Sequence, residues 1–222
     1  MRLRKPKNFD KRWKAVAPQY LIVNFTEKNI GGNNTLLRLE FGCGRGNYLT
    51  AQAAKFPDVL HVGVERNQPA LLKAMEMAHR AGLDNIKFID GDVQDITEWF
   101  ADGTINRLDI LFCDPWLKDR YAKRRLTHRN FLAAYHRLLK ADGLLCVRTD
   151  NVPLFEFTLE ELEQCGGWKI ASQTRDLHGR GGAVAQIDTA ESMTGYEEKF
   201  TALGVPICEV KVLKREDLGI YC

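Results

Sequence analysis

No run of apolar residues in this 222-residue chain approaches the ~20 needed to cross a bilayer, which excludes a membrane-spanning helix. The first residues contain no apolar core of a signal peptide, so secretion is not expected. The six cysteines, at 43, 113, 146, 165, 208 and 222, form no C-x-x-C pair. That spacing argues against structural zinc or any other metal. Four of the six sit in or beside expected strands, where a free thiol behaves as a small hydrophobe. A reduced, cytoplasmic protein follows as the expectation. Internal repeats and low-complexity tracts are lacking as well. What is present, 45% apolar and 27% charged residues, is enough for a globular α/β sheet with helices on both faces.

The net charge of +3 is small, but it is unevenly spread. Residues 1–14 hold seven bases and one acid, and residues 118–129 hold six bases and one acid. Those 26 residues carry 13 of the 32 bases and 2 of the 29 acids, which leaves the remaining 196 at −8. An acidic body bearing two basic patches is the footprint expected for a polyanionic partner. Residues 1–34 read as a basic, partly flexible arm with weak periodicity, from which Trp13, Tyr20, Leu21, Ile22 and Val23 are expected to dock; a turn is expected at 31–34.

From residue 35 to 222 the chain reads as one domain in which strands and helices alternate. Strands are expected near 36–41, 60–64, 86–89, 108–113, 144–149, 168–173 and 207–213. Helices are expected at 47–55, 68–81, 96–100, 127–140, 151–165 and 194–203. Leu71, Leu72, Met75 and Ala78 share one helix face and belong to the core. The Gly-rich, aperiodic stretch 174–193 is expected to be a mobile loop. The result is a seven-stranded, mostly parallel sheet with helices on both faces and one antiparallel edge strand, the last two strands forming an antiparallel pair.

One stretch organises the rest. Leu36 to Leu49 runs from apolar residues through Glu40 to Gly42, Gly44 and Gly46, then into a helical pattern. This is a strand, a tight glycine turn and a helix start, where the backbone can approach a ligand closely. A dinucleotide fingerprint beginning at Gly42 needs a third glycine where Asn47 stands, and Glu40 disfavours a pyrophosphate. A carboxylate there suits a cation, and S-adenosylmethionine brings a sulfonium and an ammonium.

Five strands end at or near an acid: Glu40, Glu65, Asp92, Asp114 and Asp150. Ligands of open α/β sheets bind beyond the carboxyl ends of the strands, so these acids are expected to line one crevice. Glu65 suits the ribose hydroxyls of an adenosine, Asp92 its adenine amino group, and Glu40 the cationic methionine end. Asp114 stands where the methyl group would meet its acceptor, and Trp116 offers a π face. The basic run Lys118 to Arg125 follows directly, and bases mixed with aromatics suit a phosphate backbone and an extruded nucleobase.

Asp114-Pro115-Trp116, the Lys118-x-Arg120-x-x-Lys123-Arg124-Arg125 run, Thr149-Asp150-Asn151 and Thr194-x-Tyr196-Glu197 together resemble the bacterial tRNA (guanine-N7)-methyltransferases, over nearly the whole chain. The resemblance implies a Rossmann-like class I methyltransferase fold. It implies S-adenosylmethionine contacts at Glu40, Glu65, Asp92 and Asp114, in addition to the glycine turn. It further implies substrate contacts at Lys118, Asp150, Thr194, Tyr196 and Glu197, RNA gripped along Lys123, Arg124 and Arg125, and a guanine of the tRNA variable loop as target. Three positions depart from the family pattern: Leu117 where proline is usual, Asp119 for lysine and Tyr121 for histidine. A monomer or homodimer, with no membrane, is expected.

Guanine N7 has an in-plane lone pair and no proton, so alignment matters and a general base does not. Asp114 is assigned to holding and supporting the reacting pair. Asp150 and Glu197 are candidates for the N–H groups on guanine's Watson–Crick edge. Two other readings stay open: a methyltransferase for a small molecule or protein, which leaves the basic patches without purpose, and a non-catalytic RNA-binding module on the same fold.

Overall fold

Strand β1 (Leu36–Phe41) is buried from Leu37 onward, as a strand covered on both faces must be. Its polar residues therefore need partners: the Arg38 guanidinium donates to Gln52 Oε1 at 2.7 Å and also to the Tyr48 hydroxyl. The computed structural model describes residues 4–24, 30, 35–179 and 193–215. The expected turn at 31–34 and residues 180–192 of the expected loop lie outside the described residues. The chain divides into two compact units, Met1–Thr104 and Ile105–Cys222.

In the first unit, helix α2 (Asn47–Lys55) begins after Gly46 and stops before Pro57, as proline's steric demand on the preceding residues predicts. Strand β2 (Val59–Glu65) lies parallel to β1, with Leu39 opposite Val62. Helix α3 (Gln68–Arg80) is capped by the Asn67 side chain, which accepts from the Ala70 N–H at 3.1 Å. Its Leu71, Leu72, Met75 and Ala78 are fully buried, the expected core face. Strand β3 (Ile86–Asp90) pairs with β2 so that Asp90 stands beside Glu65, and the short helix α4 (Ile96–Trp99) closes the unit. Before β3, the Asn85 amide donates to three carbonyls, of Ala53, Phe56 and Val59, at 2.9–3.0 Å. It thereby ties the end of α2 to the start of β2.

The N-terminal segment holds a helix, α1 (Phe9–Tyr20), that weak periodicity concealed. Asn8 precedes it without a side-chain cap, and Pro18 sits inside it. Phe9, Val16 and Tyr20 join the core formed by α2, α3 and β3. Arg12 forks onto Glu76 of α3 at 2.6 and 2.7 Å, and this pair holds the Glu76 carboxyl below its ordinary range. The Ile22 N–H donates to the Phe88 carbonyl at 2.8 Å, so the chain after α1 covers the free edge of β3. Val23, expected to dock, is exposed.

In the second unit, β4 (Ile105–Leu111) begins and ends earlier than its apolar run suggests. Phe112 takes a positive φ of 54°, which breaks the strand two residues before Asp114. Helix α5 (Arg129–Leu138) gives way at Leu139 to β5 (Leu139–Thr149), so Leu139 and Lys140 are strand where helix was expected. A left-handed Asp142 lets β5 turn without leaving the sheet. Helix α6 (Val152–Cys165) is capped by Asn151, carries Pro153 in its first turn and stops at Gly166, as its sequence dictates. Strands β6 (Trp168–Thr174) and β7 (Cys208–Lys214) flank helix α7 (Gly195–Ala202) in the chain. β5 is parallel to β4, whereas β7 is antiparallel to both β5 and β6.

The sheet has seven strands in the order β3-β2-β1-β4-β5-β7-β6, so the antiparallel element of the expected edge is β7, inserted between β5 and β6. Cys43, Cys113, Cys146 and Cys208 are free thiols, but Cys165 takes part in a disulfide, against the expectation of reduced cysteines throughout. Among the described residues, no helix is long and apolar enough to cross a membrane, and no group of three His, Cys, Asp or Glu could hold a metal ion.

Candidate functional site

The first unit gathers its carboxylates around the turn between β1 and α2. Gly42, Gly44 and Gly46 all have positive φ, of 67°, 56° and 77°. The turn is pinned from beneath, because the Gly42 and Cys43 N–H groups both donate to the Val64 carbonyl, at 2.8 and 3.2 Å. A Cβ added at Gly42 would meet nothing within 4 Å, whereas one at Gly46 would lie 2.7 Å from Ala74 Cβ. Gly42 therefore faces open space and Gly46 faces α3: the first leaves room for a ligand, the second lets α2 pack.

Glu65 ends β2 half-buried. Its Oε2 accepts from the Gly44 N–H at 3.0 Å and its Oε1 from the Asn67 N–H at 2.7 Å. Each carboxylate oxygen offers two lone-pair sites, so Glu65 is oriented by the backbone and retains capacity for two hydroxyl donors. Glu40 is buried within β1. Burial, and then the negative charges of Glu40 and Glu65, push the Cys43 thiol well above its ordinary pKa. All three side chains thus sit around the one turn, and Cys43 stays a neutral packing residue. Asp92 follows β3. Its Oδ1 accepts from the Gln94 N–H at 3.2 Å, and its Oδ2 pairs with Arg66 at 3.3 Å across a partly exposed surface. An open glycine turn flanked by the buried Glu40 and the half-buried Glu65 fits a ligand with a cationic end and a polar ribose end. S-adenosylmethionine is such a ligand.

The second unit carries the Asp114 loop. Asp114 is exposed; Phe112 and Trp116, on either side of it, both have positive φ, 54° and 42°. Two non-glycine residues in that region within five positions mark a loop held against its own preference. The Phe112 ring packs on Tyr196 at 5.6 Å, and Tyr196 stacks on Phe200 at 4.8 Å. Burial, then the Asp114 charge, raise the Cys113 thiol to about 12, which excludes it as a thiolate nucleophile at neutral pH. The basic run forms a 3-10 helix, Asp119–Arg124, that leaves Lys118, Arg120, Lys123 and Arg124 exposed. Arg124 lies 5.0 Å over the Trp116 ring and 5.1 Å over Tyr121, while Arg125 turns inward.

Asp150 follows β5 between two fixed neighbours. The Asn151 N–H donates to Thr149 Oγ1 at 3.0 Å, and Asn151 Oδ1 accepts from the Leu154 N–H at 2.8 Å. Thr194 and Glu197 form a reciprocal capping box at the start of α7. Glu197 is wholly buried, and both oxygens are engaged: Oε1 with His178 at 2.8 Å, Oε2 with the Thr194 N–H at 3.2 Å and Arg148 at 3.4 Å. Arg148 also donates to Glu209 at 2.6 Å, and Lys211 pairs with Glu209 at 3.5 Å. Sequence reading missed this buried ion network. Its members come from β5, α7 and β7, and no spacing rule links them.

Residues 34–210 match the profile of a family described as "Putative methyltransferase". The chain is 40% identical over 210 residues to the tRNA (guanine-N(7)-)-methyltransferase of Geobacillus kaustophilus, covering 92% of this chain and 93% of the relative. It is 39% identical over 220 residues to the enzyme of that name from Geobacillus thermodenitrificans, covering 96% and 98%. The chain belongs to the tRNA (guanine-N7)-methyltransferase family. Its members depend on S-adenosylmethionine. The fold agrees. The 16S rRNA (adenine(1408)-N(1))-methyltransferase of Catenulisporales acidiphilia superposes with a TM-score of 0.57 at 11% identity, over 86% of this chain and 90% of that one. The antibiotic-resistance methyltransferase Kmr gives 0.55 at 15%, over 87% and 94%. Within the tRNA (guanine-N7)-methyltransferase pattern, the departures Leu117 and Asp119 are exposed, and Tyr121 has its ring under Arg120 and Arg124.

Proposed function

We propose that this protein methylates N7 of a guanine in the variable loop of tRNA, in the cytoplasm, as a monomer or homodimer. The observation that supports the reading most is the open glycine turn with the buried Glu40 and the backbone-oriented Glu65 beside it. Near-full-length kinship with enzymes of that name supports the acceptor.

Bound S-adenosylmethionine supplies an electrophilic methyl group on a positively charged sulfur. Glu40 would face its cationic end, Glu65 would accept from its ribose hydroxyls and Asp92 from its adenine amino group. The glycine turn, with no side chain on its open side at Gly42, leaves room for the donor to approach the backbone closely. On the acceptor side, N7 attacks with its own lone pair and releases no proton, so the chain supplies no base. The Asp114 carboxylate would support the reacting pair electrostatically, in a transfer that leaves the positive charge on guanine and neutral S-adenosylhomocysteine as the leaving group. Lys118, Lys123 and Arg124 meet RNA phosphates, and Asp150 accepts from the guanine N–H edge. Tyr196, 54% exposed, offers its ring to the RNA, and Thr194 and Glu197 hold the start of α7 that presents it.

The test is incubation of purified protein with labelled S-adenosylmethionine and unmodified tRNA, followed by nucleoside mass analysis. Label in 7-methylguanosine is expected. Donor binding with no label on any tRNA overturns the reading in favour of a small-molecule acceptor. RNA affinity should fall steeply with salt, and the Lys123→Ala variant should lower the log–log slope by about one.

A further inference from the structure

Within the Lys123-Arg124-Arg125 triplet, the three side chains do different things. Lys123 and Arg124 are exposed, but the Arg125 guanidinium is half-buried and turned back onto the loop after Asp114. Its Nε donates to the Pro115 carbonyl and its Nη2 to the Trp116 carbonyl, both at 3.1 Å. Its Cζ lies 4.3 Å from the centre of the Phe157 ring on α6, so the fork is also fixed in direction. The backbone of Arg125 is anchored too: its N–H donates to Ala122 and its carbonyl accepts from His128, at 2.9 and 3.0 Å.

We infer that Arg125 is a positioning residue for Asp114 and not a phosphate ligand. The inference rests on the function proposed above. Asp114 lies on a loop whose Phe112 and Trp116 sit at positive φ, so the loop does not hold its shape by local preference. Two consecutive carbonyls directly after Asp114 are gripped by one planar fork. That fork cannot be supplied by an ammonium, which is a point charge on a flexible stem. Arg125 thereby transmits the position of α6 to Asp114.

The test compares Arg125→Ala, Arg125→Lys and Lys123→Ala in steady-state tRNA methylation and in the salt dependence of tRNA binding. A misplaced reacting group costs on the order of 100-fold, so both Arg125 variants are expected to lose kcat on that scale. Their KM for tRNA and their salt slope stay at the wild-type values. Lys123→Ala shows the converse, a raised KM and a slope lower by about one. Arg125→Lys restoring kcat, or Arg125→Ala lowering the salt slope with kcat intact, overturns the inference. A readout independent of activity is the indole N–H resonance of Trp116, assigned through Trp116→Phe: it should shift in both Arg125 variants, and an unmoved signal overturns the inference. Wild-type protein that fails to methylate tRNA refutes the proposed function, while the resonance still decides the loop role.

Discussion

Alanine at Gly46 and at Gly42 should separate folding from ligand binding within one turn. Both residues sit at positive φ, 77° and 67°, where a Cβ costs ~1–2 kcal/mol. At Gly46 the added Cβ would also stand 2.7 Å from Ala74 Cβ and 3.0 Å from Ala74 Cα, so α2 and α3 must separate. Overpacking of that kind adds ~1–3 kcal/mol. The sum is ~2–5 kcal/mol, which corresponds to a urea midpoint lower by about 1–2 M at the slope expected for a protein of this size. At Gly42 nothing lies within 4 Å, so only the dihedral cost applies, and the midpoint should fall by about 0.5 M. The Gly42 methyl projects into the open side of the turn, however, and should obstruct the donor. The assays are urea unfolding followed by circular dichroism, and calorimetric titration with S-adenosylmethionine. Gly46→Ala should show the larger drop in urea midpoint, about 1–2 M, whereas Gly42→Ala should fold and lose donor affinity. Normal donor binding by Gly42→Ala would show that the open side of the turn does not take the donor, and wild-type stability of Gly46→Ala would show that α2 and α3 accommodate the added methyl.

Three more outcomes follow from single side chains. Glu65→Gln keeps an acceptor for the Gly44 or Asn67 N–H but loses the charge; charged hydrogen bonds are worth ~1.5–3 kcal/mol against ~1 for neutral ones, so Kd for the donor should rise about tenfold, read by calorimetry. Thr194→Ala removes the α7 cap and should cost ~0.5–2 kcal/mol in urea unfolding, with tRNA turnover reduced and donor affinity unchanged. The third concerns acid. The hydrogen bonds from Arg12, and then its charge, lower the pKa of Glu76. Burial pulls Glu161 upward, but the fork and backbone N–H of Arg129, at 2.6–3.0 Å, outweigh it and leave it lowered too. Carboxyls with folded pKa below the unfolded ~4.3 stabilise fully above that pH and lose the contribution as pH falls through the folded value. Urea midpoints should therefore drop between pH 5 and 3, and less steeply in Glu76→Gln and Glu161→Gln; identical pH profiles would contradict this.

Much of the fold was legible because local signals and tertiary structure agree. Proline at 57 and glycine at 46 bracket α2, Asn151 and Gly166 bracket α6, and the Thr194–Glu197 box opens α7. The sequence misled where local pattern and packing part company. Helix α1 has no side-chain cap and contains Pro18, so it owes its existence to Phe9, Val16 and Tyr20 packing on α3. The apolar pair Leu138–Leu139 continues a helical stripe, yet Leu139 belongs to β5, where it pairs with Ile105 of β4. That Glu40, Glu65, Asp92, Asp114 and Asp150 stand at or just beyond strand ends could be read from position alone. The work of Arg125 and Glu197 could not, since a basic run and a Thr-x-Tyr-Glu motif do not reveal that one member of each turns inward. The disulfide at Cys165 carries no spacing signal either.

Methyl transfer to guanine N7 in the variable loop hangs on a single atom of the acceptor. A tRNA carrying 7-deazaguanine at the variable-loop guanine replaces the N7 lone pair with a C–H and leaves the Watson–Crick edge and every phosphate in place. Binding equal to that of unmodified tRNA, with no methyl incorporated, is the predicted result. Equal incorporation into both RNAs would contradict the claim and move the reaction to another atom.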